Sequence, residues 1–358
     1  MNLVRLLHDE IKISVLTGDR DLGAAETYPG VVPGAWNDWN GIAEVWYATK
    51  GQHYTGAYLR AVAELRPDAV YLNSMFSPSG CILPMLNQLV RPSTRVVIAP
   101  RGMLKPSALS TRRWKKTVWL SFLKSTGLAG RVVFHATSEI ETDEIRTSFG
   151  KNTEVVVIPN APAVPASEIE PSQKDPGRLR LSFVGRVHPI KNLMFVLRLL
   201  RQITFECTLD VIGPIEDSTY HGICKREAEA LPSNISVNFL GAVAPDNVAS
   251  VVSRSHAMIL PTLGENFGHA IYEALAIGIP VLVSDQTPWR ALDLDHAGWD
   301  INLNDPERFA FVLNWLGTMD ADEHREWRSG AHQRAVSFQD QYNLKTAYHQ
   351  MFFSEIPV

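Results

Sequence analysis

Short apolar runs alternate along this chain with longer amphipathic stretches. No other feature narrows the fold as far, because strands that alternate with helices pack as a parallel sheet with helices on its faces. The reading predicts strands at 11–17, 43–48, 69–73, 95–99, 132–136 and 154–158. Helices are predicted at 2–10, up to Leu65, at 78–90, 107–126 and 139–149. In the first of these, Leu3, Leu6 and Leu7 share a face. A second series places strands at 180–185, 208–213, 235–240, 257–261, 280–284 and 298–301, with mostly helix beyond 305. Between the two series, residues 160–178 are rich in Pro, Ser and charge and lack apolar periodicity, the mark of a linker. The predicted architecture is α/β, two Rossmann-like doubly wound domains. These are an N-terminal domain at 1–162, a linker at 163–178, a second domain at 179–338 and a closing helix at 339–358. A length of 358 residues agrees with two or three domains.

Composition removes several classes. A hydrophobic fraction of 45% with 20% charge belongs to a soluble globular chain. A net charge of -4 argues against a generally basic nucleic-acid binder. Cys81, Cys207 and Cys224 are scattered and form no C-x-x-C pair, which speaks for a reducing compartment and against a disulfide framework or zinc site. No run approaches the roughly 18 apolar residues of a membrane span. Met1–Glu10 is too short and too charged for a secretory signal. The cytoplasm is the default expectation.

The chemistry concentrates in Leu260–Ser284, which reads as strand end, loop, helix and strand. Glu265 and Glu273 lie eight residues apart, with Asn266, Phe267, Gly268 and His269 between them. A helix beginning at Gly268 offers unpaired N–H groups and a partial positive charge, which suits phosphate. The carboxylates would stand up to about 12 Å apart along such a helix. That spacing flanks an elongated ligand with hydroxyls at its ends and phosphate in its middle, the layout of a nucleotide sugar. The plain alternative is an amphipathic helix with solvated glutamates. A second motif runs Gly185-Arg186-Val187-His188-Pro189-Ile190-Lys191-Asn192, a strand end turning into a helix. Arg186 offers a rigid fork for phosphate oxygens and Lys191 a point charge.

The string Glu265-Asn266-Phe267-Gly268, then Glu273-Ala274, Gly278 and Pro280-Val281, resembles the donor site of retaining GT-B glycosyltransferases of family 4. The Gly185–Asn192 turn is similar to the diphosphate site of that family. The resemblance implies two domains around a central cleft, a nucleoside-diphosphate sugar as donor and no metal or other cofactor. It implies Arg186, Lys191 and Glu265 as catalytic, and Gly185, Asn192, Gly213, Asn266, Phe267, Gly268, His269 and Glu273 as donor-binding. Glu273 would take the ribose hydroxyls, and the turn at Gly213 would lie near the base. It also implies a final helix, about 340–355, that returns to the first domain. Asp293-Leu294-Asp295 is read as a chance match to a metal-binding motif, within a helix.

Strings in the first half, Ala99–Leu104 and Phe134–Glu139, resemble a bacterial polysaccharide-type branch of the family. Strand-end positions make Asn73, Arg101, His135 and Ser138 candidates for acceptor or cleft contacts. Many relatives carry a histidine where this chain has Arg101, so that role does not transfer, and His135 reads more readily as a core histidine than as a cleft residue. Residues 95–131 hold nine Arg or Lys and no Asp or Glu. The helix at 107–126 could therefore rest on an anionic membrane, or pack as an ordinary surface helix. Either way the partners expected are a nucleotide sugar and a saccharide or lipid-linked saccharide, not nucleic acid.

Family members open with a strand, a glycine-rich turn and a helix. This chain carries only the tail of such a helix before residue 11, so the first domain is expected to be shortened or built differently. The rival functions are a non-catalytic nucleotide-sugar-binding relative and a phosphorylase or epimerase on the same fold.

Overall fold

The computed structural model describes residues 1–20, 26–49, 54–88, 94–105, 108–109, 113–162 and 173–354. The chain divides into two units, Met1–Ala161 with Tyr342–Val358, and Pro162–Gln341.

The first unit contains β1 (Ser14–Gly18), β2 (Trp36–Trp39), β3 (Ala43–Ala48), β4 (Ala69–Asn73), β5 (Arg95–Ala99), β6 (Val133–Ala136) and β7 (Val155–Val157). Its strands form two sheets where one was expected. The order is β1-β3-β2 in one and β4-β5-β6-β7 in the other. Among the described residues no strand joins β1 to β4, and that is the physical reason for the division. β2 was not foreseen. It pairs antiparallel with β3, matching Trp36 to Trp46 and Trp39 to Ala43. The reversal runs through Asn40 and Gly41, both in the left-handed region at φ 55° and 72°, which is the turn chemistry that Asn-Gly supplies.

Other boundaries moved. The strand predicted at 11–17 begins at Ser14. In the first helix, Val4 and Leu7 are the buried positions. The segment predicted as helix at 78–90 opens as a π turn, Pro78–Ile82, before Leu83–Gln88, and residues 89–90 lie outside the described residues. The helix predicted at 107–126 is Arg113–Ser125, and 107 and 110–112 lie outside the described residues. Most of the predicted linker, 163–172, also lies outside them.

The helix Ala321–Tyr342 stops at Asn343, which takes φ 35°, and a new helix, Leu344–Phe353, packs in the first unit. Buried Arg95 on β5 holds it there. Nε donates to the Met351 carbonyl at 2.8 Å, Nη1 to the Ser354 carbonyl at 2.7 Å, and Nη2 pairs with Glu154 at 3.1 Å. Tyr348 adds a bond to the Pro159 carbonyl at 3.0 Å. A guanidinium spread over three acceptors is how a buried cation is tolerated.

The second unit contains β8 (Arg178–Val184), β9 (Glu206–Ile212), β10 (Ile235–Gly241), β11 (Ala257–Leu260), β12 (Val281–Ser284) and β13 (Gly298–Ile301). They form one parallel sheet in the order β10-β9-β8-β11-β12-β13. This is the doubly wound order, in which the chain reverses direction between β8 and β11. β11 and β12, at the middle of the sheet, are buried on both faces, whereas β8, β9 and β10 alternate buried apolar positions with more exposed polar ones. Leu181, Phe183, Leu209, Val211, Ile259 and Val283 are all buried, and each such side chain contributes about 1.5–3 kcal/mol on burial. The helix Leu193–Leu200 buries Leu193, Val196, Leu197, Leu199 and Leu200 against this sheet.

Candidate active site

Ligands of a doubly wound sheet bind beyond the carboxyl ends of the strands, where the strand order reverses. Here that point lies between the turn after β8 and the turn after β11. Gly185 and Arg186 leave β8, and a 3-10 turn, Pro189–Lys191, follows. His188 caps this turn by accepting from the Ile190 N–H at 3.2 Å. Asn192 then takes φ 61° and opens the helix Leu193–Leu200.

The two turns are tied together. Asn192 Nδ2 donates to the Pro261 carbonyl at 3.1 Å, the Leu263 N–H to the Ile190 carbonyl at 2.8 Å, and the Thr262 hydroxyl to the same carbonyl at 3.0 Å. Ser284 Oγ donates to the Thr262 carbonyl at 2.5 Å, and the Glu265 N–H to the Gln286 carbonyl at 3.0 Å. The backbone around the site is thus held before any ligand arrives.

Lys191 and Glu265 form an ion pair, with side chains 14% and 19% exposed. Arg186 is more open and pairs with Glu216. Asn266 follows, and its N–H donates to Glu265 Oε1 at 3.3 Å. Gly268 caps the helix His269–Ala276 at φ 79°, where a Cβ would meet Ile271 Cδ1 at 2.8 Å and Glu265 Cγ at 3.2 Å. His269 is exposed at the start of that helix. Glu273, in its second turn, is half-buried and has no counter-charge acting on it, so burial pushes its carboxyl up to about 7.

Phe267 was expected to serve through its backbone. Its ring is 5% exposed and packs on Trp289, Tyr272 and Phe338. Its carbonyl accepts from Trp289 Nε1 at 2.6 Å. The Phe267 ring and carbonyl therefore anchor the loop. Gly213, at φ 146°, lets the turns after β8 and β9 touch, since a Cβ there would sit 2.2 Å from the Gly185 carbonyl oxygen. Asp293-Leu294-Asp295 lies in a turn, not a helix, and Asp295 pairs with Arg334 at 2.8 Å.

In the first unit Arg101, two residues past the end of β5, takes the left-handed region at φ 54°. Its Nη2 donates to Tyr71 Oη at 2.6 Å and its Nε to Asn73 Oδ1 at 3.3 Å. Nη1 is buried with no acceptor. Tyr71 lies 2.7 Å from His135 Nδ1, and His135 Nε2 lies 2.7 Å from the Ile158 carbonyl. A carbonyl only accepts, so Nε2 carries the proton and Tyr71 donates to Nδ1. His135 is completely buried. Burial, with Arg101 second, lowers its pKa to about 4, so it stays neutral. His135 is thus a core residue that holds Tyr71, and the expectation that it faces a cleft fails. Ser138 Oγ accepts from the Glu141 N–H at 3.3 Å and caps the helix Glu139–Phe149, which leaves its own O–H to donate. Asn73 and Arg101 remain accessible in part.

The description "Glycosyl transferases group 1" fits residues 166–334, and "Glycosyl transferase 4-like domain" fits residues 1–161. The chain belongs to the group 1 glycosyltransferases. A D-inositol 3-phosphate glycosyltransferase of Rhodococcus erythropolis is 30% identical over 122 residues, covering 31% of this chain and 27% of the relative. The match thus spans about a quarter of that curated relative's length. Sucrose-phosphate synthase from Thermosynechococcus elongatus superposes with a TM-score of 0.69 at 15% identity, over 95% of this chain and 88% of the other. Anabaena HepE in complex with UDP and glucose gives 0.62 at 15% identity, over 86% and 84%. These likenesses show the fold, GT-B.

Three residues of this group 1 glycosyltransferase escaped sequence reasoning. Thr262 ties the two turns, Trp289 holds the Phe267 carbonyl, and Glu216 pairs with Arg186. Only Glu216 carried a signal, a carboxylate just beyond the strand-end pair Gly213-Pro214.

Proposed function

We propose that this chain moves a sugar from a nucleoside-diphosphate sugar to a saccharide or lipid-linked saccharide acceptor, with retention, in cell-surface polysaccharide synthesis. One observation carries the reading. Arg186, Lys191, Glu265 and the amino end of the helix His269–Ala276 gather where the strand order of the second sheet reverses. Arg186 and Lys191 take the diphosphate oxygens, together with N–H groups of the helix start. Glu273 accepts from the ribose hydroxyls. Glu265 and Asn266 hold the donor sugar.

As the bond from the anomeric carbon to the phosphate oxygen breaks, its electron pair stays on the phosphate, and the cations stabilise that charge. The acceptor hydroxyl attacks from the same face, and its proton passes to the departing phosphate oxygen. The charge balance needs no metal. The UDP in the Anabaena structure makes UDP the first nucleotide to try.

A thermal-shift screen with UDP, GDP, ADP and their sugars, with and without magnesium, tests the reading. One nucleotide at a hundred times its dissociation constant should stabilise the protein by about 2.7 kcal/mol, equally without metal. No shift with any of them would overturn it.

The shift should also grow with pH. Glu273, raised to about 7 by burial, is protonated below that pH and ionised above it. Its capacity to accept from both ribose hydroxyls as a carboxylate is therefore reduced as pH falls. Affinity should rise roughly tenfold from about pH 6 to about pH 8. Glu273→Gln should weaken binding at the higher pH and keep only the slope that the nucleotide's own phosphate contributes.

We also infer attachment to the inner face of a membrane through the helix Arg113–Ser125. Trp114, Val118 and Phe122 recur every four residues and are 69%, 63% and 41% exposed. Arg113, Lys115 and Lys124 lie beside them, also exposed. Among the described residues no helix is long and apolar enough to cross a membrane, so the contact would be peripheral. Co-sedimentation with anionic vesicles should fall on charge reversal at 113, 115 and 124. Equal co-sedimentation of both proteins would exclude it.

A further inference from the structure

The cations assigned to the donor phosphates each already hold a carboxylate. Lys191 holds Glu265, and Arg186 Nη1 donates to Glu216 Oε2 at 2.5 Å. The two pairs differ in setting. Lys191 and Glu265 are largely covered, whereas Arg186 and Glu216 are 54% and 42% exposed. The backbone on both sides of the exposed pair is fixed. The Val187 N–H donates to the Pro214 carbonyl at 2.9 Å, and the Asp217 N–H to the Val187 carbonyl at 3.2 Å. Asp217 in turn caps the helix Ser218–Glu229, accepting from the Tyr220 N–H at 2.9 Å. Glu216 is therefore delivered to Arg186 by a rigid turn, while its side chain can swing into solvent.

We propose that Glu216 is the internal counter-carboxylate of Arg186, displaced by the donor diphosphate, and that it thereby sets donor affinity. This rests on the reading of Arg186 as a phosphate ligand. An exposed ion pair contributes little, so a diphosphate brings enough charge to open it. Arg186 then exchanges one oxygen anion for another, and Glu216 moves out to water. When the nucleoside diphosphate leaves, the carboxylate returns, which favours release of a product that would otherwise bind through the same phosphates. A site made only of Arg186, Lys191 and helix amides would hold that product more tightly.

The test is calorimetric titration of UDP, GDP and ADP into the full chain at fixed ionic strength. For the nucleotide that binds, Glu216→Gln should bind about two- to fivefold tighter, the range that exposed ion pairs span. In an Arg186→Gln background the gain should vanish, because the pair is already broken. Glu206→Gln removes the same charge from another exposed pair, with Arg178, and should leave affinity unchanged.

Equal or weaker binding by Glu216→Gln overturns the proposal, since a carboxylate that merely orients Arg186 would help binding. An equal gain from Glu206→Gln overturns it too, because long-range charge would then explain the effect. If the wild type binds none of the three nucleotides, the phosphate-site reading falls and this proposal falls with it. Binding by the wild type without a Glu216 effect removes this proposal alone.

Discussion

Replacing Lys191 by alanine is expected to lower the transfer rate by about 10²–10³-fold, the range seen when one preorganised charge-stabilising group is removed. Nucleotide affinity should fall by about tenfold or less. The asymmetry follows from what remains. Arg186 and the start of the helix His269–Ala276 still offer donors to the diphosphate. What is lost is a largely covered cation, 14% exposed, fixed by the turn Pro189–Lys191 and by the bond from Asn192 to Pro261. Such a charge acts most strongly when the leaving phosphate gains negative charge, because the site need not reorganise at that moment. The substitution also strands Glu265, whose side chain is 19% exposed. Single-turnover kinetics beside nucleotide titration separates rate from binding. An unchanged rate would remove Lys191 from the mechanism, and Lys191→Arg, which keeps charge but not shape, should recover only part of it.

The second unit was legible because its signals are local. Its strands are four to seven residues long, β11 and β12 as nearly continuous apolar runs and β8, β9 and β10 with apolar residues at alternate positions, and Gly185–Lys191 and Glu265–Glu273 are contiguous strings whose chemistry shows in their residue types. The first unit was less so. The Asn40-Gly41 turn was a readable hairpin signal, yet β2 holds Asn37 and Asp38 between tryptophans and does not look like a strand. The split into two sheets depends on which strand edges meet, which no window of sequence contains.

His135 stands at a strand end, where a position suggests a ligand, but its ring is used up by partners distant in sequence, Tyr71 and the Ile158 carbonyl. Glu216 and Thr262 were missed for the same reason, since their partners lie 30 and 72 residues away.

Gly213→Ala is expected to damage both stability and donor binding, and it tests the packing beneath the site. Gly213 takes φ 146°, a conformation that residues with side chains rarely adopt. A Cβ there would sit 2.2 Å from the Gly185 carbonyl oxygen and 2.6 Å from its carbon. The contact cannot relax by sliding. The Gly213 N–H donates to the Gly241 carbonyl at 2.8 Å, the Gly185 N–H to the Ile212 carbonyl at 2.9 Å, and the Val187 N–H to the Pro214 carbonyl at 2.9 Å. Either these bonds break or Gly185 moves, and Arg186 moves with it. Overpacking of about 1–3 kcal/mol adds to backbone strain of about 1–3 kcal/mol, against a stability of about 5–15 kcal/mol for a domain. A loss of about 2–6 kcal/mol lowers the melting temperature by roughly 4–24 °C for a unit of this size. The nucleotide-induced shift should also disappear, because Gly185 and Arg186 no longer stand where the phosphates bind. Gly241→Ala is the comparison. Gly241 is also left-handed, at φ 69°, but nothing lies within 4 Å of its Cβ position, so only a strain of about 1 kcal/mol applies. Calorimetric melting of both variants, with and without nucleotide, decides the matter. Equal melting temperatures for the two would mean that the turns after β8 and β9 are not locked together, and that Arg186 owes its position to something other than the backbone beneath it.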